Sequence, residues 1–142
     1  MLITRTRVLV LILCTASTLG MSACGDGGGT DLDLPAGVTL SADAKAGQAL
    51  AQKVGCAACH SVDGSDGVGP SFAGVWGSEV ELEDGGPVIF DRDYLIESVR
   101  EPSAKRAKGA KGQMPEFGES RISDDELIQV EAYLQALAGA GS

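Results

Sequence analysis

Five consecutive residues, Cys56-Ala57-Ala58-Cys59-His60, constrain this chain more than any other stretch. Two thiols two residues apart, followed at once by an imidazole, admit three chemistries: a redox dithiol, part of a zinc site, or covalent attachment of a haem. A thioredoxin-like dithiol expects a strand-helix-strand context, which the surrounding pattern lacks, and structural zinc wants four Cys or His ligands. The chain has four Cys and one His, and two of those cysteines, Cys14 and Cys24, lie in an N-terminal segment of different character. Only Cys56, Cys59 and His60 are on offer, so zinc fails by count. A c-type haem needs what is present: both sulfurs as thioethers to the porphyrin and the adjacent histidine on the iron. One copy of the motif implies one haem c.

The first residues do not read as part of a fold. Arg5 and Arg7 precede the apolar run Val8 to Leu13, and small and polar residues then lead to Cys24, the pattern of a signal peptide over residues 1–23. Thr15, Ser17, Thr18 and Ser22 interrupt the run short of the about 20 apolar residues that span a bilayer. An uncleaved N-terminal membrane helix is the alternative. Leu19-Gly20-Met21-Ser22-Ala23-Cys24 resembles a bacterial lipobox, with Met21 where leucine is usual. Lipidation of Cys24 would supply several acyl chains and a stable anchor on the periplasmic side of a bacterial membrane; the other reading is a free thiol on a soluble periplasmic protein.

Loss of residues 1–23 removes two arginines and no acid, so 11 basic residues against 20 acidic become 9 against 20, a net charge of −11. Such a charge repels nucleic acid and suits a redox partner with a basic docking face, or simply solubility.

From Cys24 to Leu40 the chain is rich in Gly and Asp and reads as a tether, about 20 to 25 Å long as a random coil, or as a tail with no spacing role. The domain proper is expected over residues 41–142. Ser41 can cap a helix with Ala46, Leu50 and Val54 on one face, stopped by Gly55. Gly47 inside it costs about 1 kcal/mol relative to alanine and so needs a reason. Alternation on either side of Asp84-Gly85-Gly86-Pro87 predicts a short hairpin near residues 80–89. Asp91 or Asp93 can cap a segment from Tyr94 to Arg100, with Leu95 and Val99 four apart, ended by Pro102 acting on Glu101. The last helix starts from the capping box Ser123 to Glu126, with Ile122 and Leu127 as a hydrophobic staple and a stripe of Leu127, Val130, Tyr133, Leu134 and Leu137.

Removal of Met1 and Met21 leaves Met114 as the one methionine of the exported chain. With no second histidine, its thioether is the candidate for the second axial position on the iron, and Pro115 follows to restrain the backbone. The bland alternative makes Met114 core filling and leaves the iron five-coordinate or lysine-bound.

These residues resemble a class I cytochrome c over 41–138, an all-α fold of three to four helices around one haem. Gly67-Val68-Gly69-Pro70-Ser71-Phe72, Trp76-Gly77-Ser78-Glu79-Val80, Tyr94-Leu95 and Met114-Pro115 are especially similar to the cytochrome domain fused to subunit II of some bacterial haem-copper oxidases. The resemblance implies that the Pro70 carbonyl accepts a hydrogen bond from His60, that Trp76 lies by the haem unless it is a core tryptophan, and that the first and last helices cross at Gly47 and Tyr133. Where that subunit carries membrane helices and a copper domain ahead of its cytochrome, the lipobox and tether are expected to occupy the place here, so the resemblance is to the cytochrome module alone.

The expected function is single-electron transfer between membrane-bound redox proteins, such as a quinol-oxidising complex and a terminal oxidase, in a respiratory chain. Arg100, Lys105, Arg106, Lys108 and Lys111 form a basic loop leading to Met114, either a docking face or a solvated loop. No residue stands out as an acid, base or nucleophile, so no enzymatic activity is expected. Two other readings are a permanent cytochrome subunit of an oxidase and a haem sensor or peroxidase-like protein with an open axial site.

Overall fold

A computed structural model describes residues 34–140; the signal segment and Cys24 lie outside the described residues. The three α-helices are α1 (Ala42–Val54), α2 (Arg92–Arg100) and α3 (Asp124–Ala136), with two short strands, β1 (Glu79–Val80) and β2 (Val88–Ile89), between α1 and α2. Each helix starts where a side chain satisfies its first free amides. The Ala44 N–H donates to Ser41 Oγ at 3.1 Å, and the Tyr94 N–H to Asp91 Oδ1 at 3.0 Å, so Asp91 rather than Asp93 is the cap. Ser123 and Glu126 form a reciprocal capping box on α3. Gly55 ends α1 with φ at 103°, a left-handed conformation that glycine adopts without Cβ strain.

The helices pack chiefly through α1 against α3. At the crossing, a Cβ on Gly47 would overlap the Gln129 carbonyl oxygen and lie 2.5 Å from its carbon, so no larger residue fits. The buried face of α1 is therefore Ala44, Gly47, Gln48, Ala51 and Val54. Ala46 and Leu50, expected on that face with Val54, are half-buried beside it, because the close approach centres on Gly47; Leu50 packs on the larger core cluster instead. On α3 the expected stripe is buried in full, and Tyr133, Leu134 and Leu137 are inaccessible to solvent. The crossing also buries the Gln48 amide and the Tyr133 hydroxyl, and the Gln48 side chain opposes the rise that burial causes in the Tyr133 pKa.

Two apolar clusters result. The larger joins Val54, Leu95, Val99, Phe117, Ile122, Leu127, Val130 and Leu134. The smaller joins Ala51, Val62, Tyr133 and Leu137, and Leu34, Val38 and Leu40 pack on it. The end of the expected tether is thus docked on the domain: its three aliphatic side chains cover the outer side of the helix crossing. The hairpin region is reduced to two-residue strands, paired antiparallel with Glu79 opposite Ile89 and Val80 opposite Val88. Arg92 Nε lies 2.6 Å from Glu131 Oε2, tying α2 to α3 through a carboxylate that is only 10% exposed.

Gly47→Ala is a signed test of the crossing. At an unpacked helical position alanine would stabilise by about 1 kcal/mol; here it should destabilise by about 1–3 kcal/mol through overpacking, measured by guanidinium denaturation.

Candidate functional site

Past Gly55 the chain makes one 3₁₀ turn, Cys56–Ala58. The Cys59 and His60 N–H groups both donate to the Cys56 carbonyl, at 3.1 and 3.0 Å, which holds the two cysteines and the histidine on one tight turn at the end of α1. Burial pushes the Cys56 thiol up, while its own backbone hydrogen bond and the Arg121 charge oppose the rise. Arg121 was not singled out by any sequence pattern. Its guanidinium donates to the Val54 carbonyl at 3.1 Å, satisfying the C-terminal end of α1, and lies 4.7 Å from the Phe117 ring centroid.

His60 Nδ1 is 2.7 Å from the Pro70 carbonyl oxygen. A carbonyl only accepts, so Nδ1 carries the hydrogen and Nε2 keeps its lone pair. Burial lowers the pKa of His60, with the Pro70 bond opposing, so the imidazole is neutral at pH 7. Phe72 stacks on the ring with centroids 4.7 Å apart and planes 8° from parallel. A Cβ on Gly69 would come within 2.5, 2.9 and 3.0 Å of His60 Cε1, Nδ1 and Nε2, so the backbone must be bare for the ring to lie against it.

What holds Pro70 in place is a hub that the sequence did not advertise. The Gly64 and Ala73 N–H groups donate to Ser71 Oγ at 3.1 and 3.2 Å, and the Ser71 N–H donates to Asp66 Oδ1 at 3.1 Å. The Phe72 N–H donates to the Ser61 carbonyl at 2.8 Å. Nearby, the Ser65 hydroxyl and N–H hold Asp63 at a pKa of about 2. Asp63 therefore steadies this loop fully above its ordinary value of 3.8, and that contribution is lost as pH falls toward 2.

Cys56, Cys59, His60, Pro70, Phe72 and Met114 all line one cleft, which encloses about 1220 Å³ of non-protein space with its open mouth included. The rest of the lining is mostly apolar and contains every member of the larger core cluster. Trp76 is outside the lining; it packs edge-on against Phe90, centroids 6.1 Å apart, and Phe90 lines the cleft. Met114 is half-buried, on a loop fastened to α2 by the Phe117 N–H, which donates to the Val99 carbonyl at 3.0 Å.

The basic loop is less positive than its composition implies. Lys105 is 2.6 Å from Glu97, Arg106 is 2.8 Å from Glu83, and Arg100 is 2.6 Å from Asp124. Three of its five cations are thus neutralised locally, which weakens any field it could present to an acidic partner.

A mainly helical fold around a cleft that carries a Cys-x-x-Cys-His turn defines a class I c-type cytochrome domain, an electron-carrier kind of protein. Residues 42–134 match the family described as cytochrome C oxidase, cbb3-type, subunit III, and the chain belongs to that family. No curated protein matches it. The family implies a haem, and the residues fit one: a tautomer-fixed neutral imidazole with Nε2 free, two thiols on the same turn, and a core left open as a cleft rather than closed on itself.

Ser71→Ala removes the acceptor of two backbone amides at a buried site. It should cost about 1–3 kcal/mol of stability in denaturant unfolding.

Proposed function

We propose that the chain is a single-electron carrier with one haem c, held by thioethers from Cys56 and Cys59 and by His60 and Met114 as axial ligands. The observation that carries this reading is that these four residues share one apolar cleft in which the His60 ring, among the described residues, has a carbonyl at Nδ1 as its one hydrogen-bond partner. Bound there, haem c supplies an iron that cycles between ferric and ferrous states by one electron.

The chain's own residues then have separable tasks. Cys56 and Cys59 prevent loss of the group outside the cell. The Pro70 carbonyl orients His60 and strengthens it as a donor through the Nδ1 hydrogen. The Met114 thioether donates less to ferric iron than a second histidine would, which raises the potential. Val99, Phe117, Leu127 and Leu134 exclude water from the cleft, and Trp76 acts one layer back, through Phe90.

Residues 1–23 serve as the signal peptide, Cys24 carries the lipid, and the docked segment from Leu34 onward joins the anchor to the domain on the periplasmic side. The partners are membrane-bound redox proteins such as a quinol-oxidising complex or a terminal oxidase. The family description favours a second reading, a cytochrome held permanently as a subunit of an oxidase. Mild solubilisation separates the two: a free carrier leaves the oxidase, and a subunit stays with it.

Met114→Ala should keep the covalent haem, turn high-spin, and lose potential; an unchanged visible spectrum would reject Met114 as a ligand. Cys24→Ser should move the protein from the membrane to the soluble fraction, and continued membrane association would remove the lipid anchor from the proposal.

A further inference from the structure

The segment between β1 and β2 contributes nothing to the lining of the cleft, yet it is bound to the loop that does. Leu82, 8% exposed, pairs antiparallel with Ala107. The Glu83 N–H donates to the Arg106 carbonyl at 2.9 Å, and the Lys108 N–H donates to the Glu81 carbonyl at 2.8 Å. Arg106 Nε and Nη2 reach the two carboxylate oxygens of Glu83 at 2.8 and 3.4 Å. All of these contacts fall on residues 106–108. Arg106 and Ala107 are themselves part of the cleft wall, as are Ala110 and Met114 further along the same loop.

The loop is tied a second time, nearer Met114. The Lys111 N–H donates to the Val68 carbonyl at 2.9 Å, and the Val68 side chain sits where a Cβ on Gly112 would meet it at 2.6 Å. Residues 101–119, which carry these ties and Met114, contain no helix or strand, so side-chain and backbone ties from other segments set the position of Met114.

We propose that the Glu81–Glu83 segment is a brace that holds the 105–114 loop against the cleft and so controls how readily an exogenous ligand displaces Met114. Glu83 and Arg106 are the positioning residues. The inference rests on the reading of Met114 as an axial ligand. A small ligand reaches the iron only from the fraction of molecules in which the loop has lifted, so its apparent affinity rises in proportion to that fraction. Loss of an exposed, bidentate ion pair raises that fraction by about two- to fivefold.

The test uses the full-length holoprotein, with Glu83→Arg, Arg106→Glu and the double exchange, and Glu83→Gln as a milder single variant. Imidazole is titrated into the ferric protein, and amide hydrogen exchange is followed over residues 105–114. Each single variant should bind imidazole about two- to fivefold tighter and exchange faster in that loop, and the double exchange should restore both values. Unchanged imidazole affinity in the single variants overturns the brace, whether or not exchange quickens. Failure of the ligand reading has a different signature: the unaltered protein would lack the far-red sulfur-to-iron band.

Discussion

The close approach of α1 and α3 at Gly47 is the constraint on which the rest of the molecule depends. With bare backbone against the Gln129 carbonyl, the two helices pack closer than side chains would allow. Gly55 ends α1, and the contact at Gly47 holds that helix, with the turn bearing Cys56, Cys59 and His60 at its end, against α3. The face of α3 that carries Leu127, Val130 and Leu134 looks into the cleft.

Every member of the larger hydrophobic cluster is also part of the cleft wall. In most small domains the core closes on itself. Here Val54, Leu95, Val99, Phe117, Ile122, Leu127, Val130 and Leu134 all face a shared space. A flat apolar group in that space would complete the core, so binding and folding stability are linked: whatever fills the cleft in the folded state and not in the unfolded one stabilises the fold. The expected covalent attachment at Cys56 and Cys59 would make that stabilisation independent of the free concentration of the group.

Charge is arranged more economically than the totals imply. The chain has 20 acidic residues against 11 basic ones, yet three of its arginines sit at joints: Arg92 on Glu131 between α2 and α3, Arg121 on the end of α1, and Arg106 on Glu83 between the hairpin region and the Met114 loop. A solvent-accessible ion pair such as Arg106–Glu83 contributes little to global stability, up to about 1 kcal/mol. Its effect is local, on which segments move together.

The sequence by itself determined the elements whose causes are local. Ser41, Asp91 and Ser123 start helices because their side chains meet amides three residues away, and Gly55 and Pro102 end them through backbone sterics; the Cys-x-x-Cys-His turn, likewise, is contiguous chemistry. Tertiary structure alone decided what depends on partners distant in the chain. The buried face of α1 shifted to Ala44, Gly47 and Ala51 because α3 selects for close approach, not size. Leu34, Val38 and Leu40 left the tether because Ala51 and Tyr133 offered them a surface. Arg121 became a support of the site only once Val54, 67 positions away, was brought to it, and Trp76 fell behind Phe90 rather than into the cleft lining. A residue's own character predicts the bonds it makes within a turn; the bonds it makes across the fold depend on the path of the whole chain.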